Sequence, residues 1–250
     1  MNKLVFQRNI FHENDDEHIE AISKYFDVIE LEDQYTTAAW HNHICGRYSI
    51  AAAKMFGKFE KFTNALLWAG KLRDEMVSPY FHFQTLFYLT QDPEEVYWTH
   101  PEKQLFIRPT SGDKVFAGDV FTRKKLKNEF DFLMQRNVDL HTLCLVTEPV
   151  NIGSEYRLIF IDSKYVSGSK YMDNGEFSVC SSVPGTVVNY GKLVHKHCEL
   201  PPWVVLDVGI KDGEPRVIEI NQLETSSFYA ADLDKIYKTW AGYYRPVTST

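Results

Sequence analysis

Apolar and polar positions alternate in short stretches along most of this chain, with longer helical spacings between them. Near the C-terminus lie two apolar runs, Val204-Val-Leu-Asp207-Val and Arg216-Val-Ile-Glu219-Ile-Asn221, joined by the turn-forming stretch Lys211-Asp-Gly-Glu-Pro215. This pattern predicts a β-hairpin. Upstream, Leu4 to Phe6 and Asp27 to Leu31 read as strands, and Asn14 to Tyr25 between them reads as a helix with acidic residues in its first turn. Ser49 to Met76 has helical spacing, including Ala51, Phe59, Phe62, Leu66 and Leu67. These elements suggest a small α/β unit ending near residue 100. Beyond it, Leu105 to Pro109 is a strand and Thr110 to Gly118 a polar, glycine-bearing loop. Thr122 caps a helix to about Arg136, and Thr142 to Val146 is an apolar strand. Glu155 to Ile161 and Tyr165 to Lys170 form a second hairpin. Residues 172–200 combine a Ser- and Gly-rich loop with a helix from Val187 to Cys198, and the last helix runs from Ala231 to Tyr243.

The composition fits an ordinary globular chain of 250 residues, with 44% hydrophobic and 14% aromatic content. A length in this range suits one large domain or two intimate ones. The net charge of −7 argues against nucleic acid as the main partner. Cys45, Cys144, Cys180 and Cys198 are widely spaced with no C-x-x-C pair, which reads as reduced thiols in a cytoplasmic protein. The first residues enter a strand-like run without a signal-peptide apolar core, and no run of about 18 apolar residues occurs, so no membrane partner is expected.

The acceptor oxygens inside the C-terminal hairpin carry the strongest chemical signal. Side chains flip face at each strand residue, so Glu219 and Asn221 share a face. Asp207 can join them from the partner strand. Two carboxylates and an amide oxygen suit Mg²⁺ (or Mn²⁺), which prefers hard oxygen ligands and shares them with nucleotide phosphates. The plain alternative is a pair of solvated edge carboxylates, but each lies in an apolar run, and burying an unpaired carboxylate is costly. Phe106-Ile-Arg108-Pro109 and the loop holding Ser111, Gly112, Lys114 and Gly118 could bind phosphate through the guanidinium fork and loop N–H groups. Taken alone, this stretch is better explained as an ordinary strand, surface loop and helix cap, because glycine loops are common. Glu148-Pro149-Val150 ends a strand where backbone groups could meet an adenine edge, and Glu155 and Arg157 share the next strand's face. A cross-strand ion pair on a sheet surface is the alternative there, and Lys170 is by default a solvated lysine. His41, His43 and Cys45 alternate, and His195, His197 and Cys198 cluster, but neither group supplies the four ligands of structural zinc. No G-x-S-x-G nucleophile elbow occurs.

Taken in order, an arginine strand, a glycine loop, a hinge strand, an acid-x-arginine strand and a final D…E-x-N resemble the ATP-grasp superfamily over about residues 100–235. Arg108 stands where family members usually carry lysine. Together with Lys114 and the pair Ser226-Ser227, it resembles a bacterial and phage clade. The resemblance implies an α+β, ATP-grasp fold, with two α/β subdomains gripping ATP between antiparallel sheets. A small α/β pre-ATP-grasp domain (1–100) would precede an ATP-grasp domain (101–250). It implies ATP and Mg²⁺ as cofactors, with Arg108 on the α- or β-phosphate and Lys114 with the 111–118 loop over the γ-phosphate. Glu148 and Val150 would flank adenine, Glu155 would take ribose, and Arg157 and Lys170 would steady transferring phosphate. Asp207, Glu219 and Asn221 would hold the metal. The implied activity is a carboxylate–amine or –thiol ligase acting through an acyl phosphate, on a metabolite or peptide the sequence does not identify. A non-catalytic ATP-binding module and a small-molecule kinase would use the same groups. Either Asp207→Ala or Glu219→Ala is expected to abolish turnover with the fold intact. The aromatic content permits an apolar dimer face, and a well-filled core explains it equally.

Overall fold

The computed structural model describes residues 2–10, 14–31, 45–47, 64–92, 94–100, 102–111, 115–135 and 139–243. The chain packs into two units, Met1–Glu60 with Ile152–Thr250, and Lys61–Asn151. This partition cuts the chain differently from the expected division at residue 100. The reason is an apolar core that joins both ends of the sequence: Leu4, Phe6, Ile22 and Phe26 share a buried cluster with Ile159, Val205, Ile236 and Trp240.

The first unit begins with β1 (Asn2–Gln7), α1 (Asp15–Ser23), β2 (Phe26–Leu31) and β3 (Cys45–Arg47), whose strands form a parallel sheet in the order β2-β1-β3. α1 makes the crossover that a parallel pair requires. Asn14 caps it, its side chain accepting from the Asp16 N–H, and Asp15, Asp16 and Glu17 place negative charge at the positive end of the helix.

The second unit contains α2 (Ala65–Trp68), β4 (Phe81–Thr85), α3 (Leu86–Gln91), β5 (Leu105–Pro109), β6 (Asp119–Phe121), α4 (Arg123–Gln135) and β7 (Leu143–Thr147). Its strands form an antiparallel sheet in the order β4-β7-β5-β6. One face packs on the helices through Leu105, Ile107, Val146, Leu89, Trp98 and Leu126. Thr122 caps α4, its hydroxyl accepting from the Lys125 N–H at 3.3 Å. Of the helical stretch expected over 49–76, residues 49–63 lie outside the described residues. In the remainder the helix stops after four residues and gives way to a 3₁₀ turn at Arg73–Glu75. Gly70, next to the break, is a poor helix former.

The chain then returns to the first unit. Ser154–Ile161, Lys164–Asp173 and Glu176–Cys180 (β8, β9 and β10) and Val204–Lys211 with Glu214–Asn221 (β11 and β12) make an antiparallel sheet in the order β10-β9-β8-β11-β12. Its turns are tight. Asp212 and Gly213 both have positive φ, +52° and +83°, the combination of a two-residue hairpin whose twist matches its strands. Asn174 and Gly175 do the same between β9 and β10, at +49° and +80°. α5 (Gly185–His197) and α6 (Leu233–Tyr243) complete the unit. Strand β10 falls where only a Ser- and Gly-rich loop was expected.

Candidate active site

Sheet register in the first unit builds the cluster. Arg157 on β8 pairs with Asp207 on β11, and Asp207 pairs with Glu219 on β12. Ser169 on β9 stands on the other side of Arg157, so one cross-strand row runs Ser169–Arg157–Asp207–Glu219. A bulge just past this row (Val208 opposes Val217, leaving Ile218 over) bends β12 beside the carboxylates. Bulges re-aim side chains in this way next to functional sites.

Asp207 is 1% exposed and Arg157 is 7% exposed. Their contact is a two-pronged ion pair: Arg157 Nε donates to Asp207 Oδ1 at 2.8 Å and Nη2 to Oδ2 at 2.7 Å. Arg157 Nη1 donates to the Ser227 carbonyl at 3.0 Å. Asn221 Nδ2 donates to Asp207 Oδ2 at 3.1 Å and to Glu219 Oε1 at 2.9 Å. One amide thus touches both carboxylates. Burial works against the Arg157 charge, but the adjacent Asp207 carboxylate outweighs it and holds the guanidinium more firmly protonated than usual.

Aromatic rings line the arginine. Its Cζ lies 5.5 Å from the Tyr171 ring centroid and 5.1 Å from that of Tyr229, and the two rings stack at 5.2 Å. Tyr171 Oη donates to Glu155 Oε2 at 2.7 Å. Burial, then the charges of Asp207 and Glu219, raise the Glu155 carboxyl above its ordinary range, while the Tyr171 hydrogen bond pulls the other way. Burial and the charges of Asp207 and Glu155 also push the Tyr171 hydroxyl well above its usual value. Lys170 is in a different setting, bridging to Asp173 at 3.1 Å.

The donor set fits a divalent cation. Asp207, Glu219 and Asn221 offer only hard oxygens and one amide nitrogen, and they meet within hydrogen-bond distance. A half-turn of the soft Asn221 amide torsion presents its oxygen in place of its nitrogen. Among the described residues, no three His, Cys, Asp or Glu side chains form a metal-binding group.

In the second unit, Arg108 sits half-buried on β5 beside Leu145 of β7, on the face opposite Leu105 and Ile107. Gly118 packs against it: a Cβ there would stand 2.8 Å from Arg108 Cβ. Ser111 is half-buried just past β5; Gly112 and Lys114 lie outside the described residues. Glu148 is exposed and Val150 half-buried after β7. The Glu148 carbonyl accepts from the Thr147 hydroxyl at 3.1 Å.

His195 takes no part in the hydrogen bonds of this cluster. His41 and His43 lie outside the described residues. His195 is buried, stacks on Phe160 at 4.6 Å and bonds the Pro201 carbonyl through Nε2 at 3.0 Å. Sequence reasoning missed Tyr171, Tyr229 and Ser227 as members of the cluster. The available signals were the pair Ser226-Ser227, read as a clade feature and not as a partner of Arg157, and the aromatic residues beside Lys170 and beyond Asn221.

A family of ATP-grasp domains, described as family 2 of its clade, matches residues 88–239, more than half of the chain, and the chain belongs to it. The fold is α+β and ATP-grasp. The chain is similar to a RimK-domain ATP-grasp protein from Sphaerobacter thermophilus DSM 20745, at 10% identity and a TM-score of 0.63, covering 97% of this chain and 99% of that one. It is similar to an L-amino acid ligase from Bacillus licheniformis, at 14% identity and a TM-score of 0.60, covering 100% of this chain and 76% of that one. It is also similar to a D-alanine–D-alanine ligase from Bacillus anthracis, at 12% identity and a TM-score of 0.57, covering 97% and 92%. No curated protein sequence matches the chain. No helix among the described residues is long and apolar enough to cross a membrane.

Proposed function

We propose that the protein is an ATP-dependent ligase that joins a carboxylate to an amine (or thiol) through an acyl phosphate. The carrying observation is the buried Arg157–Asp207–Asn221–Glu219 network in a chain of the ATP-grasp family. A substrate carboxylate oxygen attacks the γ-phosphorus of ATP. The bond to the β–γ bridging oxygen breaks, and ADP leaves with its electron pair. The amine nitrogen then attacks the acyl carbon, the carbon–oxygen bond to phosphate breaks, and the amine gives up a proton. No protein nucleophile takes part.

Bound at Asp207, Glu219 and Asn221, Mg²⁺ or Mn²⁺ would neutralise phosphate oxygens. Arg157 grips Asp207 by both oxygens, which fixes the carboxylate before any ligand arrives. In this reading Arg157 positions Asp207 and adds positive charge near the reacting phosphate, while Lys170 supplies a second, more exposed charge. Glu155, steadied by Tyr171, takes ribose hydroxyls. Arg108, Ser111, Gly112, Lys114 and Gly118 serve the phosphates, and Glu148 and Val150 the adenine. Arg108 in place of the usual lysine brings a planar fork where a point charge is customary, as in the bacterial and phage clade the sequence resembles. The acceptor is a small carboxylate or a peptide. The names of two neighbours, an L-amino acid ligase and a D-alanine–D-alanine ligase, favour amino-acid substrates.

ADP release across a matrix of carboxylates and amines tests the proposal. A ligase gives ADP only when both partners are present, and Glu219→Gln abolishes release while its unfolding curve stays at the wild-type position. A stable phosphorylated product formed without an amine would make the protein a kinase. Tight ATP binding without turnover on any pair would make it a binding module.

A further inference from the structure

The turn that follows β12 breaks a local backbone rule beside the Arg157–Asp207 pair. The Ala231 N–H donates to the Phe228 carbonyl at 3.0 Å, which closes a four-residue turn with Tyr229 at its second position. Tyr229 has φ +53°. Turns with positive φ at that position are dominated by glycine, asparagine and aspartate, because a Cβ there crowds the following carbonyl oxygen. The other non-glycine residues described with positive φ are all Asn, Asp, Glu or Ser, and Tyr229 is the one aromatic among them. Strain of this kind persists only where the surroundings enforce it, and it gathers at functional sites.

Tyr229 is held from two sides. On one side, Phe228 is fully buried in the core that joins both ends of the chain, with its ring 6.0 Å from that of His18 and 6.1 Å from that of Tyr237. The buried Ser226 hydroxyl donates to the Gln222 carbonyl at 2.6 Å, which fixes the approach to the turn. On the other side, the Tyr229 ring stacks on Tyr171, meets Phe177 of β10 edge-on at 6.0 Å, and lies 5.1 Å from Arg157 Cζ. Tyr171 is itself fixed by its bond to Glu155. Ser227 and Tyr229 therefore reach the same guanidinium from one short segment: the Ser227 carbonyl accepts from Nη1, and the Tyr229 ring packs against the group whose Nε and Nη2 grip Asp207.

We propose that Tyr229 is a positioning residue: its strained turn presses the ring onto Arg157 and so keeps the two-pronged grip on Asp207 in the geometry that a metal-bound nucleotide requires. The inference rests on the reading of Asp207, Glu219 and Asn221 as metal ligands, and the experiment separates the two. A non-hydrolysable ATP analogue is titrated into the full chain by calorimetry with and without Mn²⁺, and the readout is the gain in affinity that Mn²⁺ brings. Tyr229→Ala reduces this gain by about threefold to tenfold, the worth of one cation–π contact, and leaves metal-free binding where it was. Tyr229→Phe keeps the ring and retains the gain. A merely structural role would move both measurements together. Urea unfolding reads the strain separately. Tyr229→Gly and Tyr229→Ala both lack the ring, but glycine carries no Cβ penalty at positive φ, so the glycine variant has a folded-to-unfolded ratio about fivefold above that of the alanine variant. A Mn²⁺ gain lost in Glu219→Gln but unchanged in Tyr229→Ala, or equal stability of the glycine and alanine variants, would overturn the proposal and leave the metal reading standing. A gain absent from wild type, or kept in Glu219→Gln, would overturn the metal reading and the proposal with it.

Discussion

Each unit carries an arginine strand with a glycine backbone pressed against it, yet the two arginines live under different rules. Arg157 is in the middle of a five-stranded sheet, buried, and tied by three of its nitrogens to Asp207 and Ser227. Arg108 is one residue from the end of a five-residue strand, half-buried, beside a polar loop. The first arrangement is fixed before any ligand arrives; the second leaves its group at the margin of a sheet, where loops adapt to what they bind. The fold thus places the residues proposed to hold a metal on rigid strands and the expected phosphate contacts on strand ends and loops.

The largest effect that would break this comparison concerns Asp207. Removing one member of a buried ion pair strands the other charge, at a cost of about 3–5 kcal/mol. Asp207→Ala is therefore expected to lose stability in that range, as well as activity, in urea unfolding monitored by circular dichroism. This revises the expectation that Asp207→Ala would silence the enzyme with its fold intact; Glu219, half-buried and outside the arginine's grip, is the cleaner position. Arg108→Ala should cost under about 1 kcal/mol, as expected for a partly exposed side chain at a strand end. Equal losses at the two positions would refute the contrast.

Glycine substitutions sharpen it at the next level. A Cβ at Gly168 would meet the Arg157 carbonyl oxygen at 2.6 Å, a backbone atom held in the β8–β9 ladder. Gly168→Ala forces those central strands apart and should destabilise by about 1–3 kcal/mol. At Gly118, just before the short edge strand β6, the obstacle is Arg108 Cβ at 2.8 Å, and that three-residue strand has a partner on one side only. Gly118→Ala is expected to cost about 1 kcal/mol or less and to raise the KM for ATP more than it lowers stability. The reverse ranking in thermal denaturation would show that the second unit is the stiffer one.

The same contrast explains what could be read in advance. Asp207 and Glu219 were legible because each interrupts an apolar run, and burial of an unpaired carboxylate demands a partner. Lys211-Asp-Gly-Glu-Pro215 announced the turn that aligns them. The partner itself was not legible: Arg157 is 50 residues from Asp207, and only the register of β8 against β11 brings them opposite. The Tyr171–Tyr229 stack, joining β9 to the segment after β12, is equally a product of tertiary packing. Strand β10 was missed although Asn174-Gly175 is a strong hairpin signal and Glu176-Phe-Ser-Val179 alternates polar and apolar; the run is only five residues long and leads straight into the Ser-Ser-Val-Pro-Gly stretch that marked a loop. In the second unit, β4 and α3 passed unread, since Phe81 to Gln91 runs from strand to helix with Thr85 as cap and no glycine or proline between them.

The smallest effect concerns pH and isolates the rigid unit alone. Glu155 sits within the charge field of Asp207 and Glu219, and burial with those charges raises its carboxyl above the ordinary value of 4.5. A carboxyl raised on folding binds its proton more tightly in the folded chain than in the unfolded one. Its contribution is complete below the ordinary glutamate range and is lost as pH rises through the raised value. Tyr171 does not blur this window, because its own shift lies on the alkaline side of 10. Glu155→Gln keeps an acceptor for the Tyr171 hydroxyl but has no proton to lose. Urea midpoints of wild type and Glu155→Gln, compared at mildly acidic and neutral pH, should therefore diverge as pH rises, with the variant gaining relative to wild type. Parallel lines would mean that Glu155 ionises as freely as a surface glutamate, and that the charges of Asp207 and Glu219 are less tightly coupled to it than the Arg157–Asp207 geometry implies.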